Sequence, residues 1–160
     1  MHNPYHARKN GFTLLEILVV IAIIGILAGI AAPAIVGNIR RANLAEAAAT
    51  VYAELYRARS TAQRKSVDQP VSWTATSLSA GAGRSVDLPN GARIVTPSAT
   101  GYTYTAPYGE FTDPSSSTGA GGLRLELVDA SGQYHTAVDA VGVTGKVLRR
   151  QVVAMSTPIP

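Results

Sequence analysis

A lone carboxylate, Glu16, stands at the head of an apolar stretch that runs from Ile17 to Val36. A charge at such a place costs several kcal/mol unless it finds a partner. The rest of the chain offers little reactive chemistry. There is no Cys nucleophile, no His pair at metal-ligand spacing and no phosphate-cradling Gly loop followed by Lys-Ser or Lys-Thr. Serines are abundant but sit in loop-like segments without a partner base. His135 is the only His beyond position 6, at an outward phase of a strand-like segment, which suits a surface or edge position. The inventory argues against an enzyme, and no cofactor or metal is expected. Trp73 reads as a core or sheet-face residue, with a binding platform as the alternative.

The apolar stretch holds about twenty residues, and at a rise of about 1.5 Å each it covers the ~30 Å hydrocarbon core of a bilayer. A short basic segment with Arg8 and Lys9 precedes it and ends at Gly11-Phe12. An ordinary anchor or uncleaved signal is the simplest account. The small-residue cleavage pattern of a secretory signal is not set off from the general Ala/Gly richness. Gly25 and Gly29 lie four apart, a spacing that lets helices approach closely in a membrane. Pro33 removes one helical hydrogen bond and loosens the helix locally.

The helix is expected to continue beyond the apolar run. Leu44, Ala48, Val51, Leu55, Ala58 and Ala62 recur at spacings of four and three, which puts them on one face. Arg40, Arg41, Glu46, Glu54, Arg57, Arg59, Arg64 and Lys65 lie mostly off that stripe. An end near residues 66–68 fits Gln69-Pro70. From Val71 the period changes to two. Candidate strands are Val71–Thr76, Ala92–Thr96, Tyr102–Ala106, Leu123–Val128, Gln133–Val138 and Lys146–Val153, separated by turn residues. Asp129-Ala130-Ser131-Gly132 reads as a hairpin turn, and Thr112–Gly122 as a Ser/Gly-rich loop. The fold class is α+β, a long N-terminal helix against an antiparallel β-sheet head. The organisation expected is a leader at 1–11, a membrane helix at 12–39, its amphipathic continuation at 40–66 and a β-rich head at 67–160. With no Cys, an exported head of this size folds without disulfides.

The run Gly11-Phe12-Thr13-Leu14-Leu15-Glu16, with Pro33 further on, resembles the signal and N-terminal helix of type IV pilins and type II secretion pseudopilins. The resemblance covers about the first 60 residues. It implies that a prepilin peptidase cuts between Gly11 and Phe12 and that the new amine of Phe12 is methylated. It also implies that Glu16 meets the Phe12 amine of a neighbouring subunit. An amine and a carboxylate in low dielectric need each other, so their pairing rewards correct axial register. Snorkelling of Glu16 to the headgroups is the plainer alternative. The location implied is the inner membrane, single-pass with the head outside the cytoplasm, and then a filament of other pilins or pseudopilins.

A narrower resemblance lies in the head. Tyr108-Gly109-Glu110-Phe111, the loop, Leu123–Val128, Gly132 and Gly145-Lys146-Val147 follow the order of the GspH/FimT family of minor pseudopilins and minor pilins. Lys146 stands where that family usually has Arg. The order implies a minor type IV pilin, and a minor pseudopilin of a type II secretion system is the alternative. Charge is unevenly spread. Residues 40–65 carry +4, 66–139 carry −4 and 140–160 carry +3 from Lys146, Arg149 and Arg150. In some members of the resembled family a basic C-terminal segment binds DNA. Double-stranded DNA is therefore a candidate partner for Lys146, Arg149 and Arg150, and a solvated strand end is the alternative.

Overall fold

The computed structural model describes residues 12–81, 83–97, 101–113 and 121–159. Gly11 and the rest of the basic leader lie outside the described residues, as does most of the Thr112–Gly122 loop. The first element is α1 (Leu14–Lys65), 52 residues long with Pro33 inside it. Thr13 caps it. Its Oγ1 accepts the Glu16 amide at 3.2 Å, and its carbonyl accepts the same amide at 3.1 Å. Glu16 sits in the first turn, and Arg64 and Lys65 sit in the last. Both placements suit the helix dipole. The helix stops where Ser66 turns to a φ of 51°, a left-handed residue of the kind that ends helices.

The chain divides into two compact units, Met1–Asn38 and Ile39–Pro160. The described part of the first is helix alone. Its large apolar side chains are exposed, Phe12 at 79% and Ile30 at 74% among them. Among the described residues one helix, α1, is long and apolar enough to cross a membrane.

The second unit is an α+β head built on the remainder of α1. Two antiparallel sheets follow. The first has the order β3-β2-β1-β5-β6, from β1 (Gln69–Trp73), β2 (Ser77–Ala80), β3 (Ser85–Asp87), β5 (Tyr102–Thr105) and β6 (Glu110–Thr112). The second has the order β10-β8-β7-β4, from β4 (Arg93–Ile94), β7 (Leu123–Val128), β8 (Tyr134–Ala140) and β10 (Val153–Ala154). In it β9 (Val147–Arg149) also pairs with β8. Leu44, Ala48, Val51, Leu55, Ala58 and Ala62 are all buried, with Ala47, in one cluster with residues of both sheets. Alternation does the rest: Leu123, Leu125 and Leu127 face inward while Arg124 is exposed. Trp73, Tyr102, Phe111 and Tyr104 stack in sequence, with ring centroids 4.9–5.5 Å apart.

Three differences from the pattern expected of the sequence have local causes. β1 starts two residues early, because Gln69 is buried and its side-chain amide donates to the Val67 and Asp68 carbonyls. Glu54 lies inside the packed face, held by Arg57 at 2.7 Å and Arg84 at 3.3 Å. The single strand expected at Lys146–Val153 is broken. Arg150 donates its amide to Ala137 O at 2.9 Å, and Thr136 Oγ1 donates to Arg150 O at 3.0 Å. The Arg150 amide bond still follows the β8–β9 register; residues 151–152 then leave the ladder, and pairing with β8 resumes at Val153↔His135, shifted by one residue.

Asp139 ties three strands of the second sheet. It lies opposite Arg124 in the β7–β8 register and opposite Leu148 in the β8–β9 register. Arg124 and Arg150 each bring Nε to 2.8 Å from its carboxylate. Burial works against the charged form, but hydrogen bonds and charge from the two arginines win, and the Asp139 carboxyl is held below its ordinary range. As pH falls, the unfolded chain therefore takes up this proton before the folded chain does. The Asp139 contribution is full above about pH 5 and is lost as pH drops through about 4 toward the lower folded value. Acid titration of the thermal midpoint is expected to show this loss, and Asp139→Asn is expected to flatten it and to lower the midpoint at neutral pH. An unchanged acid slope in the variant would count against the three-strand tie.

Gly145 explains one glycine of the Gly145-Lys146-Val147 turn. Its φ is 59°, and an added Cβ would collide with the Gly109 carbonyl oxygen. Gly132 also has a positive φ, 71°, but open space around it. Backbone strain alone costs on the order of 1–3 kcal/mol. Gly145→Ala is expected to destabilise the head by clearly more than Gly132→Ala in parallel thermal melts, and equal losses would show that the close approach of the two loops is unimportant.

Candidate assembly and binding surfaces

The N-terminal candidates are set out along one helix end. Thr13-Leu14-Leu15-Glu16 has the Thr-x-x-Glu spacing of a capping box, and Thr13 makes its half of the exchange. The Thr-x-x-Glu spacing is itself the sequence signal for this local role. Glu16 thus has two separable parts. Its amide helps to start the helix, while its carboxylate has no ion pair among the described residues. Phe12 lies immediately before the cap and is exposed. Gly25 and Gly29 have no atom within 4 Å of where a Cβ would be, so the helix surface there is open to a close neighbour.

The C-terminal candidates separate in the structure. Lys146 is exposed in the turn before β9, and Arg149 is exposed at its end. Neither has an ion pair among the described residues. Arg150 is different, because its guanidinium is committed to Asp139. Nothing in the spacing of Lys146, Arg149 and Arg150 announces this. Asp139 is eleven residues away and becomes a neighbour only through the β8–β9 pairing.

A groove of about 510 Å³ runs between the start of the head's helix and the break in the C-terminal strand. Arg41 lines one wall, and Arg149 and Arg150 line the other. No acidic side chain lines it. The Arg41 guanidinium lies 4.9 Å from the centre of the Tyr134 ring, within cation–π range. Arg40 Nη1 donates to Gln133 Oε1 at 2.6 Å. Lys146 is not part of this lining.

Other polar residues are spoken for. Asp129 accepts the amides of Ser131, Gln133 and Tyr134 and the Ser131 hydroxyl. Burial opposes its charge, yet these donors hold its carboxyl below the ordinary range. The expected hairpin turn after Val128 is built on this carboxylate. Hydrogen bonding to Asp139 raises the Arg124 pKa. His135 is half-buried and not at an edge, since β7 and β10 flank it through Val128 and Val153. Its Nε2 lies 2.7 Å from the Thr157 carbonyl oxygen, so the hydrogen belongs on that nitrogen. Trp73 is buried and donates Nε1–H to Thr96 O at 3.1 Å. Tyr104 Oη and Arg59 Nε are buried without a hydrogen-bond partner among the described residues, and burial pushes the Tyr104 hydroxyl well above its ordinary pKa. Among the described residues no three His, Asp or Glu side chains converge on a point that could hold a metal ion.

Comparison with known proteins bears on the N-terminus. The family described as the prokaryotic N-terminal methylation motif matches residues 6–32. The type II secretion system core protein G of Aeromonas hydrophila is 46% identical over 46 residues, 29% of this chain and 32% of that protein. The chain thus spans about a third of the length of the curated relative it matches. No solved structure matches it significantly. The motif at the N-terminus and the stretch shared with a secretion-system protein together support membership of the type IV pilin and pseudopilin superfamily.

Proposed function

We propose that this chain is a minor type IV pilin, a subunit that primes or caps a pilus. In this reading a prepilin peptidase removes residues 1–11 by cutting between Gly11 and Phe12, and Phe12 is then methylated. Residues 12–39 hold the subunit in the inner membrane, residues 40–66 continue the helix, and the head at 67–160 lies outside the cytoplasm. One observation carries the reading: a helix whose large apolar side chains are exposed from Leu14 to Ile39, and whose one charged side chain in that stretch is the Glu16 carboxylate, with no ion pair among the described residues. That surface needs an apolar surround and a cation near its start. A bilayer supplies the first, and a bundle of like helices, each with a free Phe12 amine, supplies both. Pro33 removes one hydrogen bond in mid-run, which lets packed helices adjust locally.

A second reading, a minor pseudopilin of a type II secretion system, draws support from the likeness to core protein G. The two share every N-terminal feature. They part in the head, where the pilus reading adds DNA contact through the C-terminal basic residues. In this reading Lys146 and Arg149, exposed and without an ion pair among the described residues, contact the phosphates. Arg150 serves the sheet through Asp139.

Glu16→Ala is expected to leave the protein in the membrane fraction of its host but absent from sheared surface filaments. Normal incorporation of the variant would overturn the assembly role of Glu16. A single-pass anchored domain with no filament function predicts that outcome.

Titration of the full-length protein in detergent with a short DNA duplex, at two salt concentrations, tests the DNA contact. Binding is expected to weaken with salt at a log–log slope of about −0.9 per phosphate neutralised. Lys146→Ala/Arg149→Ala is expected to lose about two of those contacts. Absence of binding at low salt would favour the secretion reading.

A further inference from the structure

The groove between Arg41 and Arg149 has a chemistry that filament assembly does not use. We propose that it binds the headgroup of an anionic phospholipid. Arg41 and Arg149 stand on opposite walls, one from α1 and the other from the end of β9. Arg150 also reaches the groove, but its guanidinium is engaged by Asp139, a carboxylate it shares with Arg124. The net offer is two guanidinium groups, and guanidinium binds phosphate oxygens in a fork. Ala42, Ala45 and Val152 supply the apolar part of the lining. The size, about 510 Å³, lies within the range of small-ligand clefts, roughly 300–1,000 Å³.

The position of Arg41 in the chain selects the lipid. It follows Ile39, the last large apolar residue of the exposed run, by two residues. At about 1.5 Å of rise per residue, Arg41 comes about 3 Å further along the helix than Ile39. A phosphate held there needs its acyl chains only a short distance away. Tyr134 beneath Arg41 gives the site an amphipathic ring of the kind enriched at membrane interfaces. Basic and aromatic side chains therefore meet where the head's helix begins. A nucleic-acid backbone offers the same phosphodiester without the apolar tails, and nothing in the groove calls for a base.

The inference rests on the membrane-anchor part of the function proposed above, and fractionation of the wild-type chain with host membranes reports that part separately. The test uses the full-length protein in a non-ionic detergent. Dioctanoyl phosphatidylglycerol, dioctanoyl phosphatidylcholine or a short DNA duplex is added, and bound ligand is counted by native mass spectrometry. Phosphatidylglycerol is expected to be retained in preference to phosphatidylcholine. Arg41→Ala and Arg149→Ala are each expected to weaken that retention about fivefold. Arg41→Lys is expected to restore most of it, and Lys146→Ala to leave it unchanged. Thermal melts confirm that each variant is folded. Equal retention of the two lipids, or an Arg41→Ala variant that melts normally and retains lipid fully, overturns the site. So does duplex binding that depends on Arg41 without any preference for phosphatidylglycerol.

Discussion

Everything in the head depends on burying one face of α1. Four of the seven buried apolar residues that do it are alanines. Ala47, Ala48, Ala58 and Ala62 are as fully buried as Leu44, Val51 and Leu55. Alanine leaves the helix surface flat, so the sheets come close and their own large side chains fill the space. Leu125, Leu127, Tyr104 and Phe111 do so at 0–1% exposure. At about 25 cal/mol per Å² of apolar surface, this contact is the main stabilising term of a head that has no disulfide. The same helix carries the opposite condition in its first half. There the apolar side chains find no partner among the described residues, so one element joins a self-sufficient fold to a surface that needs other molecules.

The parts of this fold that are local in sequence could be read from it. The buried stripe from Leu44 to Ala62 follows from the 3.6-residue period, and Leu123–Val128 follows from strict alternation. The turn after it follows from Asp129-Ala130-Ser131-Gly132, whose Asp carboxylate collects the loop amides. What the sequence hid is non-local. β2 is Ser77–Ala80 and β3 is Ser85–Asp87, segments with little strand propensity of their own. They are strands because Trp73 lies opposite Leu78 and Leu78 opposite Val86. β6 was hidden likewise, short and set beside Tyr108-Gly109. Tertiary pairing overrides weak local preference in each case.

The basic C-terminus shows the same limit at the level of chemistry. Three cations within five residues look like one patch. The structure divides them by partner, because strand pairing brings Arg150 diagonally across from Asp139 while Lys146 and Arg149 stay in solvent. Conversely, Arg41 and Arg149 are more than a hundred positions apart and line the same groove. Charge counted along the chain gave the total correctly. It could not say which charges are already balanced.

The division and the groove have one origin. Thr136 and Ala137 on β8 hold the backbone of Arg150, and Asp139 holds its side chain. The Arg150 amide bond keeps the β8–β9 register, whereas β10 pairs one residue out of that register, so Gln151 and Val152 bulge from the ladder and part β9 from β10. A continuous strand would present a regular edge to α1. The broken one opens a space beside Arg41, with Arg149 left at its rim. Asp139 ties up the Arg150 guanidinium together with that of Arg124, while the bulge beside Arg150 leaves Arg149 at the rim of the groove.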